Sequence, residues 1–171
     1  MFPRQQTRIL TLLLTLAGCG FQLRGTGPGV AVPDNWKSMY LVTNNPNSEF
    51  GREVVLRFAA HGVEWQQKPA DANYLVRLGP ERFSQRNLSL NADARAAEFE
   101  LTMRATFSVQ DRDGKLVLPD STATVVKQME NDPANVVGKA EEQRILKAEM
   151  RSELAQQIMR RIGFFAASQE S

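Results

Sequence analysis

The chain has 171 residues, with 21 basic and 19 acidic side chains, one histidine and one cysteine. A charge balance this even excludes the basic excess or stripe of a dedicated nucleic-acid binder, and a lone cysteine excludes an intramolecular disulfide or a cysteine-based zinc cluster. The length suits one domain with a proper core and is short for two.

The first stretch reads as an export signal. Arg4 and Arg8 form a positive region ahead of the apolar run at 9–16, which has the length of a signal-peptide core and falls short of the roughly 20 residues that span a bilayer. Leu16-Ala17-Gly18-Cys19 resembles the bacterial lipobox, in which small residues admit a dedicated peptidase and the cysteine thiol is diacylglyceryl-modified before cleavage. Residues 1–18 are thus read as a lipoprotein signal peptide, with Cys19 as the lipidation site and first residue of the mature chain. Acyl chains such as palmitate contribute about 0.8 kcal/mol per buried CH₂, so two or three of them hold a protein on a membrane almost permanently. Gly20 stands where an aspartate would favour inner-membrane retention, so the expected location is the periplasmic face of the outer membrane. Cleavage removes Arg4 and Arg8, and the mature chain then carries 19 charges of each sign.

Residues 19–35 include Gly25-Thr26-Gly27-Pro28-Gly29, too glycine-rich for an element interior, and are expected to be a lipidated tether. A short buried strand is expected over 38–43, followed by the turn Asn44-Asn45-Pro46-Asn47-Ser48. A helix should start near Ser48 and end near His61: Phe50, Val54 and Phe58 recur every four residues, Val55 and Ala59 widen the stripe, and Gly62 suits the left-handed residue beyond the end. The alternation of Tyr74, Val76 and Leu78 marks a second strand, interrupted or bulged around Gly79-Pro80 and continuing towards Phe83. The clearest strand follows, with Phe99, Leu101, Met103, Ala105, Phe107 and Val109 on one face and Glu98, Glu100, Thr102, Arg104, Thr106, Ser108 and Gln110 on the other. Asp113-Gly114 supplies a hairpin turn, and residues 115–129 return as a strand rich in β-branched side chains, with Pro119 marking an edge or a bulge. Asp132-Pro133 is a strong helix start. Leu146, Met150, Leu154, Ile158 and Ile162 repeat every four residues, giving a helix to Gly163 and a frayed C-terminus over 164–171.

The order β-α-β-β-β-α implies an α/β fold of the α+β two-layer kind, a mixed four-stranded sheet with two helices on one face. The first β-α-β unit gives a right-handed parallel crossover and the later hairpins are antiparallel. Residues 36–163 are expected to form this single sandwich domain, with the other sheet face left polar by Glu98, Glu100 and Arg104.

Little in the chain suggests catalysis. The single histidine sits at a helix end, where it complements the dipole, no Gly-x-Ser-x-Gly elbow occurs, and acylation removes Cys19 as a nucleophile. Glu98 and Glu100 lie on an exposed strand face interleaved with Thr and Arg, as solvated or interfacial charges do. Asp111-x-Asp113-Gly114 lacks the further oxygen ligands of a calcium loop. The expectation is a non-enzymatic protein with no metal and no cofactor beyond its covalent lipid.

At this point the residues match a family. Cys19-Gly20-Phe21-Gln22-Leu23-Arg24 resembles the mature start of the LPS-assembly lipoprotein family LptE, and the likeness continues through Gly62-Val63-Glu64, Ala97-Glu98-Phe99, Asn131-Asp132-Pro133 and Glu142-Gln143. The resemblance implies a two-layer sandwich of the order above and a lipoprotein that plugs the outer-membrane β-barrel LptD. Together they deliver lipopolysaccharide to the outer leaflet, and the lipoprotein supports barrel assembly. It also implies lipopolysaccharide binding through basic residues. Lys139 falls on one such position; the other is occupied by Ala92, with Arg95 or Arg86 as possible spatial substitutes. The alternative reading is an auxiliary lipoprotein that docks on another periplasmic transporter or enzyme.

Overall fold

The computed structural model describes residues 32–90, 96–131 and 136–169. Cys19 and the signal, most of the tether, Ala92, Arg95 and the Asp132-Pro133 helix start lie outside the described residues. Six strands form one mixed sheet: β1 (Ser38–Val42), β2 (Glu64–Trp65), β3 (Tyr74–Leu78), β4 (Arg82–Leu90), β5 (Ala96–Asp111) and β6 (Leu116–Glu130). Helix α1 (Glu49–Ala59) connects β1 to β2, and α2 (Val136–Gln169) closes the chain. This is the expected α+β class, with two strands beyond the four expected. One is β2, too short to carry a periodic signal; the other arises because the interrupted second strand divides into β3 and β4.

The break between β3 and β4 has a steric cause. Both pair antiparallel with the same edge of β5, β3 along residues 107–111 and β4 along residues 96–104. Between them Gly79 donates its N–H to the Thr106 carbonyl at 2.9 Å, and a Cβ at this glycine would lie 2.4 Å from Thr106 Oγ1. Pro80, without an N–H, then interrupts the ladder. On the other edge of β5, β6 pairs antiparallel over nearly its whole length. At the far side β1 runs parallel to both β3 and β2, the parallel crossover that a β-α-β unit requires.

Helix α1 begins where its cap dictates: Ser48 Oγ accepts the Gly51 N–H at 2.9 Å, satisfying one of the orphan donors of the first turn. It ends at Ala59, and the chain reverses through Gly62 at φ 86°, with the Val63 N–H bonded to the Phe58 carbonyl at 3.1 Å. Phe50, Val54 and Phe58 are buried as the four-residue spacing implies, whereas Ala59 is exposed. In β5 the core face is continuous, with Phe99, Leu101, Met103, Ala105, Phe107 and Val109 all buried beneath the helices, but Ser108, expected on the wet face, is only 3% exposed, beside the register shift between Phe107 and Val109. The α2 stripe of Met150, Leu154, Ile158 and Ile162 packs into the same cluster.

Two expectations at the domain ends change. Val32, within the stretch read as tether, is 2% exposed and part of the core, as is Trp36. Helix α2 continues past Gly163 to Gln169, because apolar contacts persist there: Ala166 is fully buried, and Phe165 meets Trp36 edge-on at 5.9 Å while Trp36 stacks on Tyr74 at 3.8 Å. One glycine in a helix costs about 1 kcal/mol, which such packing offsets.

Helix α2 also covers the free edge of β6. Gln157 Oε1 accepts the Thr124 N–H at 2.9 Å and Arg161 donates to the Thr122 carbonyl at 2.6 Å, so side chains occupy backbone groups that would otherwise template another strand. Lys127, whose register opposite Leu101 turns it towards the helix side, meets Glu153 at 2.5 Å and Glu149 at 3.0 Å. The hydrogen bonds that Lys127 donates to Glu153 and then to Glu149 raise its pKa. Arg151 binds Glu49 at 2.5 Å, at the start of α1, and Glu81 at 2.8 Å, beside the β3–β4 break.

The close approach at Gly79 is testable. Gly79→Ala should destabilise the protein by about 1–3 kcal/mol in chemical denaturation, the usual cost of forcing atoms into a packed site. In a Thr106→Ala background, which removes the hydroxyl nearest the new Cβ, the same substitution should cost clearly less.

Candidate functional site

The fold leaves two features that chemistry could use: one end of the sheet, and the sheet face turned away from the helices. The end is where β4 and β5 meet, where β6 finishes and where α2 begins. Asn87, Phe99 and Met129 lie side by side there, and the next rung is Arg86, Glu100 and Gln128. Successive strand residues point to opposite faces, so Phe99 and Met129 face the helix while Arg86 and Glu100 face away.

Lys139, in the first turns of α2, stands on the helix side. Its ammonium donates to Asn131 Oδ1 and lies 4.4 Å from the centre of the Phe99 ring, within the range of a cation–π contact. Two turns on, Lys147 repeats the arrangement over Phe83 at 4.2 Å, and between them Gln143 donates to Gln85 Oε1 at 2.7 Å. The opening of α2 thus lies over the sheet through polar tips and lysine stems, where its later turns use an apolar stripe.

Arg86 is on the other face. Its guanidinium grips Glu100 through Nε at 2.6 Å and Nη2 at 2.9 Å, the two-pronged geometry that strengthens an arginine–carboxylate pair. The hydrogen bond to Arg86 holds the Glu100 carboxyl below its ordinary range, and the reciprocal bond raises Arg86. The neighbouring Glu98 accepts from Ser89 Oγ at 2.9 Å. Two of the three basic residues singled out in the sequence therefore come to the same end of the sheet but on opposite sides of it, and Arg95 lies outside the described residues. His61 is where a helix-end histidine belongs, with Nδ1 2.8 Å from the Arg57 carbonyl oxygen.

Among the described residues no group of three or more His, Cys, Asp or Glu side chains could hold a metal, and no helix is long and apolar enough to cross a membrane. The hairpin reading of Asp111-Arg112-Asp113-Gly114 holds: Asp111 Oδ1 accepts the N–H groups of Asp113 at 3.0 Å and Lys115 at 2.9 Å.

The family model for LptE, described as lipopolysaccharide-assembly, matches residues 36–162, from Trp36 in the core through the α2 stripe. The chain belongs to the LptE family. Its relatives include the LPS-assembly lipoprotein LptE of Pectobacterium atrosepticum, 30% identical over 172 residues that cover 95% of this chain and 89% of the relative. The protein of the same name from Photorhabdus laumondii is 29% identical over 160 residues, covering 91% and 85%. Two solved structures share the fold. Rare lipoprotein B from Shewanella oneidensis has a TM-score of 0.69 at 22% identity, covering 78% of this chain and 98% of its own. Lipoprotein B from Nitrosomonas europaea has a TM-score of 0.72 at 21% identity, covering 86% and 93%. LptE membership carries a role in lipopolysaccharide assembly and the character of a cell-envelope lipoprotein.

Sequence reasoning placed Arg104 on the polar sheet face without giving it a role, and it passed over Arg77 and Arg82, which share that face. Strand parity would have grouped them, but only register shows which of them are neighbours.

The Arg86–Glu100 pair predicts a pH effect whose sign is set by the depressed carboxyl. Its contribution is present above the ordinary glutamate pKa of about 4.3 and is lost as pH falls through the lower, folded-state value. An NMR titration should place the Glu100 midpoint below the ordinary range, and Arg86→Ala should return it towards about 4.3.

Proposed function

We propose that this LptE-family chain is a non-catalytic lipoprotein, anchored through acylated Cys19 on the periplasmic face of the outer membrane. It partners and plugs an LptD-type β-barrel, supporting barrel assembly and the delivery of lipopolysaccharide to the outer leaflet. The observation that carries this reading is the family match over residues 36–162. The architecture supports it physically. A lumen lined by polar side chains can take a domain whose sheet has one face under helices and the other built from Thr, Ser, Gln, Arg and Glu.

In this reading no side chain acts as a catalyst. His61 is held against the Arg57 carbonyl and Glu100 is engaged by Arg86, so neither stands as a poised acid or base. Lys139, Arg86 and Arg95 are the proposed contacts to lipopolysaccharide, since ammonium and guanidinium groups bond strongly to phosphate oxygens. Lys139 is the best placed, its ammonium already drawn to the sheet end by Asn131 and Phe99. No cofactor is proposed beyond the lipid on Cys19.

Expressed in its host at normal barrel levels, the protein should co-purify with a large outer-membrane barrel and resist protease added to membranes opened on the periplasmic side. Recovery as a freely protease-accessible protein would overturn the plug, and crosslinks from β5 to a soluble periplasmic protein would instead favour an auxiliary docking role. Cys19→Ala should block acylation and the cleavage that follows it, so the protein should be lost from the outer-membrane fraction while circular dichroism stays unchanged. A loss of structure would mean that anchor and domain are not independent.

A further inference from the structure

Among the described residues no helix covers the other face of the sheet, and that face carries an unusual arrangement of charge. Arg82 stands directly opposite Arg104 in the β4–β5 ladder, and Glu98 directly opposite Glu130 in the β5–β6 ladder. The partners of each pair lie on the face away from the core, because Phe83, Met103, Phe99 and Met129 alternate with them on the helix side. Like charges directly opposite one another destabilise a sheet, and here two such pairs of opposite sign share one face. Between them lie Arg86 and Glu100, a rung that pairs opposite charges in the ordinary stabilising way.

Three of these four groups have no compensation among the described residues, and Glu98 has only the hydrogen bond from Ser89 Oγ at 2.9 Å. Arg82 and Arg104 are exposed, and among the described residues their side chains join no salt bridge or hydrogen bond, nor does that of Glu130. Arg77, on β3 and also exposed, extends the positive patch. Glu98 and Arg104 are six positions apart on β5, so the two patches are centred about 20 Å apart along the strand. Val126, paired with Thr102 between them, is 52% exposed and offers an apolar contact at the centre.

We infer that this face docks on a protein surface of matching polarity, with carboxylates against Arg77, Arg82 and Arg104 and lysines or arginines against Glu98 and Glu130. The inference rests on the plug reading and specifies which face meets the barrel and in which orientation. Charge complementarity selects the occupant. A membrane surface offers anionic headgroups and no patch of net positive charge, so it would attract the arginine end while repelling the glutamate end. A protein wall can present both signs, and two opposite patches then fix the docking direction as well as steering the encounter.

Two variants test it in the full lipidated chain. Arg82→Thr relieves the arginine repulsion with a good strand former, and Glu130→Lys turns the glutamate pair into an attractive one while reversing the sign seen by a partner. Each should raise the melting temperature of the purified protein by about 1–3 °C, as the removal of a surface like-charge pair allows. Each should also lower recovery of the barrel about tenfold at physiological salt, the scale expected for lost interfacial charge pairing. A gain in stability joined to a loss of partner is a signature that a purely structural residue would not produce. If wild type recovers the barrel and both variants recover it equally well, the docking face is overturned and the plug stands. If wild type recovers no barrel, the plug reading falls and the inference with it.

Discussion

The burial of one face of β5 against α2 is the interaction on which the other elements depend. Six apolar side chains alternating along a 16-residue strand are removed from water by the helix over that face, and the five larger than Ala105 contribute roughly 1.5–3 kcal/mol each when fully buried. Once β5 is held in this way, its two edges template the rest of the sheet. One edge takes β6 over nearly its whole length, and the other is shared by β3 and β4, which can follow the same edge only by breaking at Gly79-Pro80 where the chain touches Thr106. The parallel unit of β1, α1 and β2 then docks on β3 through β1, and α1 fills the remaining groove beside α2.

Helix α2 satisfies several demands with different parts of its length. Its first described turns rest on the sheet through Lys139, Gln143 and Lys147, its middle through an aliphatic stripe, and its last turns through Phe165 and Ala166. A helix 34 residues long that lies across a sheet is bound to reach the sheet margin, and there Gln157 and Arg161 occupy exposed backbone groups of β6. Such cover is protective, since an open edge strand invites pairing with other chains. Arg151 and Lys127 add ion pairs that register the helix against α1, the strand break and β6.

The other side of the sheet obeys a different rule. It contributes little to the core, so its side chains are free to be chosen for what they meet. The Arg86–Glu100 rung follows the preference of a solvated sheet for opposite charges, and its flanking rungs do the reverse. In a surface selected only for solubility the repulsive pairs would be removed easily, because surface substitutions cost little. Their presence on one face of the sheet is what the proposed docking surface accounts for.

Much of the fold was legible in the chain because the signals were local. The β5 alternation, the Ser48 cap, the Gly62 exit, the Asp113-Gly114 turn and the Gly79-Pro80 interruption each depend on residues a few positions apart, and the structure has each of them where the pattern placed it. The family, too, was readable from short motifs. Tertiary structure alone decided whatever depends on distant residues meeting. The two-residue β2 exists because β1 offers it an edge, Val32 is buried because its neighbours come from elsewhere in the chain, and α2 outlasts Gly163 because Trp36 waits for Phe165. The same holds for function. Sequence alone could nominate Lys139, Arg86 and Arg95 one at a time, but whether two charges are partners or rivals is set by ladder register, which no local pattern encodes. That register places Lys139 and Arg86 on opposite sides of one sheet end and sets Arg82 against Arg104.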